Sequence, residues 1–231
     1  MKQILALAVL VGFAASADPA SANSITYNFS GTQSSLPVSG SASFTTLANE
    51  IQISLTNSTV NPTSVAQNLS DLSFTLSTGG QTTFSIASSS GLERTVNSDG
   101  TFTDGSHVST GWAISGGSGT IKLDVLGAAG PTHTVIGSPD ASNVYSNANG
   151  SIAGNGPHNP FLFGPVTFDL IVAGVTSASD VTSATFSFGT TEGNDLIGTP
   201  GAPVPEPATL LLLGSSMVGL GLARRRRGRA R

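Results

Sequence analysis

EIQISLTN, residues 50–57, puts an apolar side chain at every second position: Ile51, Ile53 and Leu55 alternate with Gln52, Ser54 and Thr56. A strand projects successive side chains to opposite faces, so this octet describes a ribbon with one buried face and one wet face. The same spacing recurs on both sides of it. Ile25-Tyr27-Phe29, Leu72-Phe74-Leu76, Ile121-Leu123-Val125 and Phe168-Leu170-Val172 repeat it in full, and Ala42-Phe44, Phe84-Ile86 and Phe186-Phe188 in part. Gly, Asn, Asp and Pro separate the runs, and Ser98-Asp99-Gly100 and Asp104-Gly105 are hairpin-turn signals. No window carries a helical face, which disfavours architectures that need crossover helices. The pattern predicts an all-β body, an antiparallel β-sandwich of about 9–11 strands. A parallel β-solenoid is the alternative, but it requires a repeat of fixed period and the chain has none.

Charged residues make up 10% of the 231, where a soluble domain typically has about a quarter. Ser, Thr, Asn and Gly fill the gap, a texture that suits an extracytoplasmic β protein. The charges are also segregated. Six of nine basic residues lie in the last eight positions, and between residues 23 and 200 only Arg94 and Lys122 remain, against eleven acids, so the body carries 2 − 11 = −9. A phosphate backbone is bound by Lys and Arg, so nucleic acid is excluded as a partner. The chain has no cysteine, which rules out disulfides, thiolate metal sites and a cysteine nucleophile.

Each end carries a targeting pattern. Residues 1–22 hold one early positive charge, Lys2, an apolar stretch from Ile4 to Ala15 and two small-x-small sites, ending at Ala17 and Ala22. That is a secretory signal peptide addressed to the Sec translocon, with cleavage expected after Ala22. At the other end, residues 208–223 are apolar apart from Thr209, Ser215 and Ser216; counting from Pro207 gives 17 positions, the lower limit of the ~17–25 needed to span a bilayer. Arg224, Arg225, Arg226 and Arg227 follow directly. They act as a stop-transfer signal and stay cytoplasmic, leaving everything before them outside. The expected organisation is a signal peptide at 1–22, a β-sandwich ectodomain at 23–195, a Pro/Gly linker at 196–207, a single hydrophobic transmembrane helix at 208–223 and an Arg-rich cytoplasmic tail at 224–231.

Val204-Pro205-Glu206-Pro207-Ala208-Thr209, the Leu-rich run with Gly214, Gly219 and Gly221, and the closing arginines together resemble the PEP-CTERM sorting signal of Gram-negative bacteria. The resemblance implies that an exosortase, an integral-membrane cysteine transpeptidase-like enzyme, is the partner. It also implies that Pro205, Glu206 and Pro207 are the recognition element, and that the product reaches the cell surface or the extracellular matrix after transient residence in the inner membrane. Exopolysaccharide and biofilm association are common among such substrates. The residues fit the role, since two prolines hold the segment extended and the glutamate gives one charged handle. The tail of the body, ATFSFGTT, and the stretch YSNANGSIAGNGPHNPFL are similar to segments of exosortase-dependent surface proteins without an assigned activity.

Within the body, catalytic constellations are absent from the sequence. There is no G-x-S-x-G elbow, no Gly-Lys-Ser/Thr follows Gly116-Gly117-Ser118-Gly119, and His107, His133 and His158 lack zinc-motif spacing. Residues 127–160 show little alternation and many turn formers, and a loop of that length is functional or disordered more often than merely connective. Asp140, Asn143 and Asn147 within it are candidate oxygen ligands for calcium, although turn chemistry alone explains Asx residues there. Trp112 is a candidate for stacking on a sugar, or a core residue. The reading of the whole is a non-enzymatic exported surface or matrix protein without a cofactor other than that calcium. A carbohydrate- or ice-binding module, or a secreted hydrolase with a site assembled from distant Asp and His, are the alternatives.

Overall fold

A computed structural model of the chain describes residues 22–126, 133–156, 158–191 and 193–202. The expected signal peptide up to residue 21, the Pro-Glu-Pro element, the apolar segment and the arginine tail lie outside the described residues.

The body is all-β. In chain order its strands are β1 (Asn23–Gln33), β2 (Leu36–Leu47), β3 (Glu50–Asn57), β4 (Leu69–Leu76), β5 (Phe84–Val96), β6 (Phe102–Val108), β7 (Ala113–Gly117), β8 (Thr120–Asp124), β9 (Phe161–Val172), β10 (Val181–Phe188), β11 (Asp195–Ile197) and β12 (Thr199–Pro200). One sheet has seven strands in the order β12-β1-β2-β3-β9-β5-β6, and the other has five in the order β11-β10-β4-β8-β7. The pairs within both sheets are antiparallel. A solenoid would have stacked parallel strands, so the antiparallel sandwich is the architecture. The described strands number twelve, one above the expected range, because β11 and β12 are too short to show an alternating pattern. Paired backbone therefore continues past residue 195, into what the sequence reads as linker.

Alternation explains the packing. Tyr27, Phe29, Ala42, Phe44, Ile51, Ile53, Leu55, Leu72, Phe74, Leu76, Ile121, Leu123, Phe168, Leu170, Val172, Phe186 and Phe188 are all buried in one cluster between the sheets. Ile25, Phe84 and Ile86 are half-buried at its margin. Each fully buried Leu, Ile or Phe contributes about 1.5–3 kcal/mol of transfer free energy. Aromatic rings lock the two layers: Phe29 of one sheet lies 4.5 Å from Phe186 of the other, and Phe44 lies 5.0 Å from Phe74. Gly40 of β2 is pressed between its neighbouring strands, since a Cβ there would meet Thr56 O of β3 at 2.2 Å and the Phe29 ring of β1 at 2.4 Å.

The described part of the long irregular stretch is not a free loop. Leu69 and Leu162 bridge to Val135, and Val60 bridges to Ser138, tying residues 135–138 to both sheets. Ile136, Tyr145 and Ile152 then form a second buried cluster with Val96 and Phe161. Two register shifts in β5 against β9, between Ile86 and Ser88 and between Ser90 and Leu92, are bulges of the kind that bend a strand and increase its twist.

Candidate functional site

Three places among the described residues bring polar side chains together, two on outer faces and one buried. The first is the outer face of the seven-stranded sheet. Register places Thr26 opposite Ser43, Ser43 opposite Ser54, Ser54 opposite Thr167 and Thr167 opposite Ser90, a row of hydroxyls five strands wide. A second row runs Ser24, Thr45, Gln52, Asp169, Ser88. Hydroxyls pair along these rows, with Thr26 to Ser43 at 2.7 Å and Ser88 donating to Asp169 at 2.6 Å. The face mixes serine with threonine and is broken by the β5 bulges. It is polar, nearly uncharged and half-exposed.

The second is a pocket of about 320 Å³ on the outer face of the five-stranded sheet, lined by Asp71, Ser73, Lys122, Thr185, Ser187, Gly193 and Asp195. Its floor is a cross-strand row in register: Asp195, Ser187, Asp71, Asp124. Lys122 Nζ lies 2.7 Å from Asp71 Oδ2 and 3.1 Å from Asp124 Oδ2, while Ser187 donates to Asp195 at 2.5 Å. Asp71 Oδ1 is buried without a hydrogen-bond partner among the described residues. Burial pushes the Asp71 carboxyl up to about 6; Lys122 opposes this, and the negative charges of Asp124 and Asp195 add to it. For Lys122, burial pulls the ammonium down, but its bonds to Asp71 and Asp124 prevail and hold it above the usual lysine range. At neutral pH this lysine is therefore a counter-charge and neither a base nor an amine nucleophile.

The third surrounds Arg94, which the alternation of Arg94 with Val96 turns to the buried side of β5. Its guanidinium is gripped by a bidentate bond to Asp104, at 2.6 and 2.8 Å. It lies between two rings, 3.9 Å from the centroid of Phe102 and 3.4 Å from that of Phe163. A third donor reaches the Tyr145 hydroxyl at 3.2 Å, which in turn donates to Gly137 O at 2.9 Å. A planar cation stacked and forked in this way clamps β5, β6, β9 and the 133–160 segment together.

Other residues singled out from the sequence are placed as follows. Asp140 accepts from the backbone N–H of Ser142 and Val144 with one oxygen and from the Ser146 hydroxyl with the other. These bonds hold its carboxyl below the usual range, the Ser146 bond most of all. Asn143 sits at φ 62° in that same turn, and Asn147 N–H donates to Asn61. Asp140 thus closes an Asx-type turn that contains Asn143, with one oxygen serving the backbone and the other the Ser146 hydroxyl, while Asn147 lies beyond it against Asn61. Among the described residues, no group of three or more His, Asp or Glu is arranged to hold a metal ion. The histidines do not converge on one another in any described contact: His107 Nδ1 lies 3.3 Å from Ser90 Oγ on the exposed face, and His133 Nε2 lies 3.8 Å from Glu93. Trp112 is a core residue, 5.4 Å from the Phe168 ring, with its indole N–H donating to His133 O.

Sequence reasoning missed the Arg94 clamp and the Asp71–Lys122 pocket. The signal for both was present: the body's two lone basic residues each fall on a strand with a clear alternating face.

Beyond residue 202 the chain is read from its comparison with known families. Residues 203–227 match the PEP-CTERM protein-sorting motif. The chain carries a PEP-CTERM sorting signal. It is accordingly an exported surface protein whose processing partner is an exosortase. The match begins three positions after β12 ends, so the signal follows the folded body almost without a spacer. No curated protein and no solved structure matches the chain.

Proposed function

We propose that the sorted body is a non-catalytic surface or matrix protein that contacts exopolysaccharide through the outer face of its seven-stranded sheet. Export through the Sec translocon and temporary anchoring by residues 208–223 deliver it, and processing near Pro205, Glu206 and Pro207 releases it to the cell surface or the surrounding matrix. The observation that carries this reading is the five-strand hydroxyl row Thr26-Ser43-Ser54-Thr167-Ser90. Such a face offers donors and acceptors in a regular grid to a polyhydroxylated polymer, and it lacks the positive charge that would draw nucleic acid. Supporting a non-catalytic role, the pocket's lysine serves as a counter-charge, and the Ser90–His107 pair sits on an open face without a described carboxylate behind the imidazole. The test is cell fractionation with one antibody against the body and one against the tail, for wild type and for the double variant Ser43→Glu, Ser54→Glu. Expected is a body signal in the exopolysaccharide fraction without the tail epitope, moved to the soluble fraction in the variant. A variant that stays with the polymer as wild type does would sink the reading.

A further inference from the structure

Among the described residues β12 is the last paired strand, and it holds on by very little. Two residues pair with β1, Thr199 opposite Asn28 and Pro200 opposite Tyr27. Pro200 has no N–H to donate, both β12 residues are exposed, and the final described tie is the bond from Gly201 N–H to Thr26 O at 2.7 Å. The residue before the strand is anchored far better. A Cβ at Gly198 would meet the Phe186 ring at 2.7 Å and Tyr27 Cβ at 3.1 Å, and Gly198 N–H donates to Ala184 O at 2.8 Å. Leu196, two residues earlier, packs against the main core.

This arrangement limits how far the sorting signal can stand from the body. An extended chain covers at most about 3.6 Å per residue. From Gly201 to Pro205 is four residues, so while β12 is paired at most about 14 Å of chain separates the last tie from the Pro-Glu-Pro element. A membrane enzyme that takes an extended segment into a cleft needs several residues of free chain on each side of it, and a two-sheet body about 10 Å thick stands in the way. If Thr199, Pro200 and Gly201 leave β1 while Gly198 stays anchored, the reach rises to seven residues, about 25 Å. Exposed, two-residue edge pairing belongs to the parts of a fold that open most readily.

We propose that β12 is a releasable strap: its pairing on β1 limits the free chain between the sandwich and the sorting signal, and the exosortase acts on the form in which residues 199–201 have peeled away. The proposal rests on the chain being processed at its PEP-CTERM signal, as described above.

The chain has no cysteine, so a single engineered disulfide can test it. In full-length protein, Asn28→Cys with Thr199→Cys places two thiols on residues directly opposite each other across the β1–β12 pair, a separation a disulfide spans. Processing is followed as loss of the tail epitope, in cells with and without the exosortase. The locked variant is expected to be processed at least tenfold more slowly than wild type. Reductant is expected to restore the rate, as is a four-residue Gly-Ser insertion after Ala202 in the locked background. Conversely, Gly201→Pro, which deletes the donor to Thr26, is expected to speed processing several-fold. Thermal unfolding of each variant reports that the body is intact. A locked, folded variant processed at the wild-type rate would overturn the strap and leave sorting standing. Wild type that keeps its tail where the exosortase is present would overturn both.

Discussion

Arg94 and Lys122 are the two basic residues between positions 23 and 200, and the fold uses them in opposite ways. Arg94 sits inside, its side chain 5% exposed, between two aromatic rings and with a fork to one carboxylate. Lys122 sits on an outer face, its side chain 28% exposed, as a point charge shared by Asp71 and Asp124. The guanidinium is planar and weakly hydrated, so it can be buried when its faces and edges are both occupied; the ammonium keeps its hydration and stays where water still reaches. One cation organises packing, while the other moderates the repulsion of a crowded acidic row.

Substitution separates the two roles. The largest effect belongs to Arg94→Ala, which leaves Asp104 and the Tyr145 hydroxyl without their partner and the Phe102 and Phe163 rings facing a void. A loss of about 3 kcal/mol in urea-unfolding free energy is expected; a loss below about 1 kcal/mol would mean that the clamp is ornamental. Lys122→Met is expected to cost less, about 2 kcal/mol at neutral pH, because the ammonium it removes is itself nearer to solvent than the Arg94 guanidinium, 28% against 5% exposed, and its loss leaves no aromatic rings facing a void. The double variant Asp71→Asn, Lys122→Met should recover most of that, since the repulsion is removed along with the counter-charge.

A third effect appears only as a change with pH. The folded-state pKa of Asp71, about 6, lies above its ordinary value of 3.8. The folded protein therefore binds this proton more tightly than the unfolded chain, and ionised Asp71 is a cost present at pH 7. Acidification through 6 toward 4 relieves it. Wild type should gain stability relative to Asp71→Asn over that window, read as the difference between their urea midpoints. A difference that stays flat would show that Lys122 fully compensates Asp71. Smallest of all is Ser54→Ala on the hydroxyl face, expected to change stability by less than about 0.5 kcal/mol. Its side chain faces solvent, and a larger loss would give the row a structural role in place of a recognition one.

How much of this was legible in the sequence follows from the range of the interactions. Ile51-Ile53-Leu55 and the runs like it declare their own buried face, because alternation is local, and each full run lands in the core apart from the half-buried Ile25. The pairing of β4 with β8 is different. It sets Asp71 opposite Asp124, 53 positions away, and no local pattern encodes that register. The same holds for Arg94, whose ring partners and hydroxyl partner are gathered from β6, β9 and residue 145. Alternation in β5 does put Arg94 on the apolar side, which is a readable anomaly, but its resolution depends on contacts distant in sequence. The stretch from 133 to 160 was misleading for a related reason: its buried residues Ile136, Tyr145 and Ile152 have no periodic spacing, since they descend on the body from turns.

The two ends of the described body lie side by side. Its first strand starts at Asn23 and its last ends at Pro200, and those two strands are hydrogen-bonded neighbours, with Tyr27 opposite Pro200. The body thus enters and leaves through a single doorway, with the sorting label beginning three positions beyond the exit. In engineering terms it is a cassette. Any domain whose own ends lie side by side could be exchanged for it between residues 22 and 202, its exit still adjoining its entrance but without the β12 strap.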